Sequence, residues 1–154
     1  MWQITILAAG KIKELALAGL IAEYLKRIKP YAIVKVIELN AEPFAKSNKK
    51  QAKQKESEKI NKFLDQQRNA WIVVLDERGT NLDSFKFADW LEDAGVPIVF
   101  VIGGALGLDE EIIGRADKVI ALSKLTFTHE MARLLLVEQL YRASTIKRGK
   151  EYHY

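Results

Sequence analysis

Short, nearly unbroken apolar runs alternate along this chain with longer stretches in which apolar residues recur every third or fourth position. That alternation builds a sheet covered by helices. "WQITILAA" predicts a buried strand from Trp2 to Ala8, punctuated by Gly10. From Lys13 to Ile28, Leu17, Leu20, Ile21, Tyr24, Leu25 and Ile28 recur at helical spacing, opposite Glu14, Glu23, Lys26 and Arg27. This amphipathic helix stops near Pro30. "YAIVKVIEL" is the second strand, broken by Glu42-Pro43. Ser47 is expected to cap a polar helix reaching Gln67. Only Ile60, Phe63 and Leu64 are available to pack it, so a loosely held outer helix is expected.

"AWIVVL" (Ala70–Leu75) predicts the third strand, with Asp76-Glu77-Arg78-Gly79 as the turn at its carboxyl end. Asp83 or Ser84 can cap the next helix, whose Phe85, Phe87, Ala88 and Leu91 are expected to face inward before Gly95 ends it. "VPIVFVI" reads as a strand covered on both faces. Asp109 then caps a short helix to about Ala116, "KVIAL" makes a fifth strand, and a long helix runs from His129 to Ile146. The fold class is α/β with a parallel sheet. Such sheets bind ligands beyond the carboxyl ends of their strands, where Asp76, Gly103 and Ser123 fall. The long helix carries two apolar stripes, Leu134–Val137–Tyr141 and Leu136–Leu140–Ala143. One can pack on the sheet; the other calls for a second partner, and a homodimer is expected. Glu138 precedes Arg142 by four residues, a spacing suited to an ion pair.

Composition narrows the function classes. No apolar run approaches the roughly 18 residues of a membrane span, and Met1–Gly10 lacks the charged start of a signal peptide, so a cytoplasmic protein without membrane contact is expected. The absence of cysteine excludes disulfides, thiolate nucleophiles and cysteine-ligated metals, and no metal site is expected. Charge is segregated: residues 46–69 hold eight basic and three acidic side chains, whereas residues 70–122 hold four and ten. The basic stretch reads either as a polyanion surface or as a solvated lysine face.

"GGALGL" lacks the spacing of the dinucleotide fingerprint, which disfavours a dehydrogenase. Its glycines suit either a tight turn or a loop that approaches a ligand closely. Ser123 lacks the nucleophile elbow of a hydrolase. His129, at a helix start, is expected to be a neutral, packed or hydrogen-bonding imidazole. The tail "KRGKEYHY" interleaves Lys147, Arg148 and Lys150 with Tyr152, His153 and Tyr154, a pattern of phosphate-holding cations and base-stacking rings.

"FVIGG..GL" at Phe100–Leu108, "LSKLTF.H" at Leu122–His129, "R.LL.EQLYRA" at Arg133–Ala143 and "RG..YH" at Arg148–His153 resemble, in order and spacing, the RlmH-type SPOUT methyltransferases. That family methylates N3 of a pseudouridine in large-subunit ribosomal RNA. Weaker agreement extends over nearly the whole chain. Thr128 stands where the family usually has proline, Glu130 where glutamine is common, and Tyr154 where a basic residue often ends the chain. The resemblance implies a single homodimeric domain, residues 1–154, whose region from about 100 to 146 forms a trefoil knot, followed by the tail at 147–154. It implies S-adenosyl-L-methionine as methyl donor, held by Leu75, Gly103, Gly104, Leu122, Ser123, Lys124, Leu125, Thr126 and Phe127. It also implies 23S ribosomal RNA of the assembled ribosome as partner.

On that basis His153 is expected to take or relay the N3 proton, Arg142 to hold phosphate or stabilise the anionic base, and Tyr152 to orient the nucleotide. The opposite subunit is a possible source of these groups. Lys49, Lys50 and Lys53, with Lys147, Arg148 and Lys150, are expected to contact RNA. The alternatives are a SPOUT enzyme acting on another RNA, a non-catalytic RNA-binding ribosome assembly factor, and an α/β enzyme acting on a small nucleotide.

Overall fold

A computed structural model describes all residues from 1 to 154. Strands β1 (Trp2–Ala9), β2 (Ala32–Leu39), β3 (Trp71–Asn81), β4 (Ile98–Ile102) and β5 (Lys118–Ala121) form one sheet in the order β2-β1-β4-β3-β5, every pair parallel. Helices α1 (Leu15–Ile28), α2 (Lys49–Leu64), α3 (Ser84–Asp93), α4 (Glu110–Gly114) and α5 (His129–Lys147) cover both faces. Ile4, Ile6, Val73, Phe100 and Ile102 pack on one face against Ile21 and Ile28 of α1, Phe87 and Leu91 of α3, and Leu136, Val137 and Leu140 of α5. Leu7, Val74, Val99 and Val101 pack on the other against Ile60 and Leu64 of α2 and Ile112 of α4. The continuously apolar strands follow from this double cover.

Several expectations are corrected. α2 starts after Asn48, not at a Ser47 cap: the Asn48 side chain takes the Ala45 N–H at 2.6 Å and so fixes the approach to the helix. α2 is also more firmly seated than its apolar count implied, because Ala52, Glu56 and Ser57 are buried with Ile60 and Leu64. Residues 76–79 do not end β3. Leu75 and Thr80 both register with Ile120, so these four residues loop out as a bulge and the strand resumes to Asn81. Gly79 permits this, since a Cβ there would lie 2.7–2.8 Å from the backbone of Val119 and Ile120. Leu20 and Phe85 are exposed, not inward. The second stripe of α5 also finds its cover within the chain, for α5 lies between α1 and α3 and none of its residues is fully exposed. The apolarity of α5 therefore gives no evidence of a dimer.

The remaining caps form as expected. Asp83 accepts from Lys86 N–H at 2.7 Å, Asp109 from Ile112 N–H at 3.1 Å, and Thr128 from Met131 N–H at 3.3 Å. Thr128 thus starts α5 by capping it. No helix is long and apolar enough to cross a membrane.

Candidate active site

The bulge of β3 and the carboxyl ends of β4 and β5 open into a pocket of about 720 Å³. Of the nine positions expected to hold a cofactor, Leu75, Gly103, Gly104, Leu122, Ser123, Leu125, Thr126 and Phe127 line it. Lys124 does not; its side chain is exposed beside the rim. Lys13, Asp76, Glu77, His129 and Glu130 bring charged and titratable groups to the same wall. Of these, Asp76, expected at a strand end, reaches the pocket from the β3 bulge instead, whereas Lys13 and Glu130 come together only because the start of α1 meets the start of α5. The Glu130 carboxylate accepts the Lys13 backbone N–H.

Close backbone approach shapes the pocket. A Cβ on Gly103 would lie 2.9 Å from Leu108 Cγ and 3.0 Å from the Gly107 carbonyl carbon. A Cβ on Gly104 would lie 3.1 Å from Ala9 O and 3.2 Å from Glu56 Oε2. The glycines are therefore needed both as a tight turn and as an open wall, the two readings left by their spacing. Glu56, 5% exposed, was invisible in a sequence stretch that reads as polar; its other oxygen accepts the Glu42 N–H at 3.0 Å. Behind the pocket, Arg133 donates to Gly10 O at 2.8 Å and to Glu38 at 2.6 Å, tying the turn after β1 to the end of β2.

The hydrogen bond from Arg78 holds Asp76 below the usual carboxylate range, against the opposing effect of burial. Burial holds His129 below the ordinary imidazole range; Arg133 and Lys13 act in the same direction, and Glu130 and Glu56 oppose. The shift is in the direction expected for this imidazole, with burial as its largest cause. A histidine whose folded pKa is depressed contributes stability that is present above its unfolded pKa of roughly 6.5 and is lost as pH falls through the folded value. The melting temperature is therefore expected to fall below about pH 6.5 more steeply for the wild-type protein than for His129→Gln. Parallel pH profiles for the two would remove His129 as the cause.

The tail folds back over the outer side of α5. Arg142 Nη1 lies 3.2 Å from His153 Nδ1, and its guanidinium sits 4.8 Å from the Tyr152 ring centroid. Glu138 pairs with Arg142, as its spacing implied, and accepts the Tyr152 hydroxyl at 3.2 Å. The Tyr24 and Tyr152 hydroxyls lie 3.1 Å apart, and the His153 ring meets Phe85 edge-on at 4.6 Å. Exposed Phe85 thus receives a partner from the tail. Glu138 raises the pKa of Arg142, while burial, then Tyr24 and Glu138, raise that of Tyr152, so both remain protonated donors. The three residues expected to act on the acceptor are together. They are not beside the pocket, however: Glu138 and Arg142 follow His129 by nine and thirteen residues, roughly 14 and 20 Å along α5.

Among the cations, Lys49, Lys50 and Lys53 form none of the ion pairs, and Lys53 lies near enough to Asp76 to favour its charged form. In the tail, Lys147 is held by Asp89 at 2.6 Å and Lys150 stands over the Tyr31 ring, whereas Arg148 is exposed.

The family model described as "Predicted SPOUT methyltransferase" matches residues 2–153. Over 159 aligned residues the chain is 39% identical to the ribosomal RNA large subunit methyltransferase H of Symbiobacterium thermophilum, covering 98% of this chain and 99% of that one. It is 40% identical to the protein of the same name from Kosmotoga olearia, at the same coverage. A probable methylase family protein from Haemophilus influenzae Rd KW20 shares the fold, with a TM-score of 0.61 at 14% identity over 99% of this chain and 71% of that one. So does the SpoU methyltransferase AviRb from Streptomyces viridochromogenes in complex with AdoMet, with a TM-score of 0.50 at 13% identity over 97% and 59%. A parallel α/β sheet with a glycine-lined pocket at its carboxyl edge, and a family match from one end of the chain to the other, make this protein a member of the SPOUT methyltransferase family.

Proposed function

We infer that this protein is a cytoplasmic, single-domain enzyme that transfers a methyl group from S-adenosylmethionine to N3 of a pseudouridine in 23S ribosomal RNA, on assembled ribosomes. The observation that carries this reading is the near-full-length likeness to two ribosomal RNA large subunit methyltransferases H, with the motif loops converging on one pocket.

The pocket fits the donor. Its volume suits a nucleoside-sized ligand. Its wall also contains His129, whose buried Nδ1 has no hydrogen-bond partner within the chain. Leu75, Gly103, Gly104, Leu122, Ser123, Leu125, Thr126 and Phe127 would hold the adenosyl end, with Lys124 at the rim. When bound, S-adenosylmethionine supplies an electrophilic methyl group on a sulfonium. The chain's own contribution is alignment, which can be worth roughly 7–11 kcal/mol. Arg142 holds phosphate or the anionic base, His153 takes the N3 proton, and Tyr152 orients the nucleotide.

The separation of tail and pocket along α5 favours a homodimer in which the tail of one subunit serves the pocket of the other. A trefoil knot is part of this reading, with α5 following edge strand β5 and packing back between α1 and α3. RNA contacts fall to Lys49, Lys50 and Lys53, and to Lys147, Arg148 and Lys150. Reversing Lys49, Lys50 and Lys53 is expected to weaken ribosome binding and to reduce the salt slope by about one per lost phosphate contact, with cofactor affinity unchanged. An unchanged slope would remove this surface from the RNA interface.

Labelled methyl transfer to unmodified ribosomes, large subunits and naked RNA, with the product nucleoside identified by mass spectrometry, tests the whole reading. N3-methylpseudouridine formed on ribosomes supports it. Another nucleoside, or no transfer with cofactor bound, overturns it.

A further inference from the structure

Seven residues, from Leu122 to Thr128, connect β5 to α5 and supply most of the pocket's cofactor-facing positions. The connection is poorly supported from beneath: residues 124–128 are all exposed, and Leu125 is 71% exposed. Within it, Ser123 Oγ accepts the Leu125 N–H at 3.1 Å and Thr128 caps α5. Both are local ties, which shape the loop without fixing it against the opposite wall. One side-chain hydrogen bond reaches across: Thr126 Oγ1 donates to Glu77 Oε2 at 2.5 Å. Glu77 lies in the β3 bulge, which is itself braced, since Asp76 holds the Arg78 guanidinium and Arg78 reaches Glu110 at 2.9 Å. Both Glu77 and Thr126 line the pocket, one from the β3 bulge and the other from the loop after β5.

We propose that Glu77 is a positioning residue for the methyl-donor site: its hydrogen bond to Thr126 clasps the 122–128 loop to the β3 bulge and holds the pocket at its binding width. The inference rests on reading this pocket as the S-adenosylmethionine site. It gives the bulge a role, because a strand that ended at Leu75 would leave no rigid platform for the clasp. The carboxylate acts by its reach and acceptor geometry, so an uncharged acceptor of the same length can replace it, and the hydroxyl of residue 126 is required equally. Preorganising a loop in this way strengthens ligand binding by removing an ordering cost.

Calorimetry with S-adenosylmethionine on the full-length protein tests this, with steady-state methyl transfer measured alongside. Glu77→Ala and Thr126→Val are each expected to raise the dissociation constant about three- to tenfold, the range of a single hydrogen bond to a charged acceptor with solvent access. The double variant should lose no more than either single change, because both remove the same contact. Glu77→Gln and Thr126→Ser should recover most of the affinity. The KM for the cofactor should rise while kcat at saturation changes less than about twofold, as expected when ground-state and transition-state binding are lost together. Additive losses in the double variant overturn the clasp. So does a Glu77→Gln as weak as Glu77→Ala beside a Thr126→Val of wild-type affinity, which would assign Glu77 to charge instead of position. Wild-type affinity in every variant overturns it as well, whereas a wild-type protein that binds no S-adenosylmethionine would instead refute the pocket assignment.

Discussion

Arg142→Ala is expected to lower methyl transfer to ribosomes by roughly 10²–10³-fold, the loss typical when one donor that stabilises developing charge is removed. His153→Ala should fall within roughly 10²–10⁴-fold, as for a positioned base. Arg142 lies well along α5 from the pocket and His153 of the tail sits beside it, so calorimetric affinity for S-adenosylmethionine should stay within about twofold of wild type. That separation also gives the dimer a direct assay. Arg142→Ala mixed with a pocket variant such as Gly103→Val, each inactive alone, should regain measurable turnover once subunits exchange, because a mixed dimer restores one composite site. Full activity of Arg142→Ala would end its catalytic assignment, and absence of complementation in exchanged dimers would return the tail to its own subunit.

Arg133→Ala is expected to cost about 3 kcal/mol. Arg133 is 2% exposed, and its removal leaves Glu38 without its cation and Gly10 O without a donor. Breaking a buried pair costs roughly 3–5 kcal/mol, and the partial exposure of Glu38 places the loss at the lower end. For a protein of this size that is about 6–12 °C in melting temperature. Lys147→Met, which breaks a surface pair with Asp89, should stay within about 0.5 kcal/mol and serves as the control. An Arg133→Ala protein that melts with the wild type would show that water replaces the guanidinium at no net loss.

The sheet was legible because its strands are buried on both faces and read as unbroken apolar runs, and the helix caps were legible because Asp83, Asp109 and Thr128 act locally. What depends on distant backbone was not. The β3 bulge hinges on how closely Gly79 approaches β5, and no local pattern carries that distance. Glu56 is buried by the turn at Gly104, and the seating of α2 was accordingly underestimated. The two stripes of α5 predicted a second copy, yet α1 and α3 supply the cover, since periodicity counts apolar faces without naming what meets them. In the site, eight of the nine positions expected from the motif loops to hold a cofactor lie on the pocket wall. Charged wall residues such as Lys13 and Glu130 escaped because they come from two helix starts far apart in the chain.

One of the three helices that cover one face of the sheet, α5, follows all five strands in the chain. Until residues 129–147 have been synthesised, Val73, Phe100 and Ile102 lack Leu136, Val137 and Leu140 as cover on that side. The nascent chain therefore holds a sheet with an open apolar face, the kind of surface that aggregates or recruits chaperones while translation continues. Synonymous slow codons just upstream of α5 would lengthen that interval, so the soluble yield of this protein should depend on how fast α5 is translated.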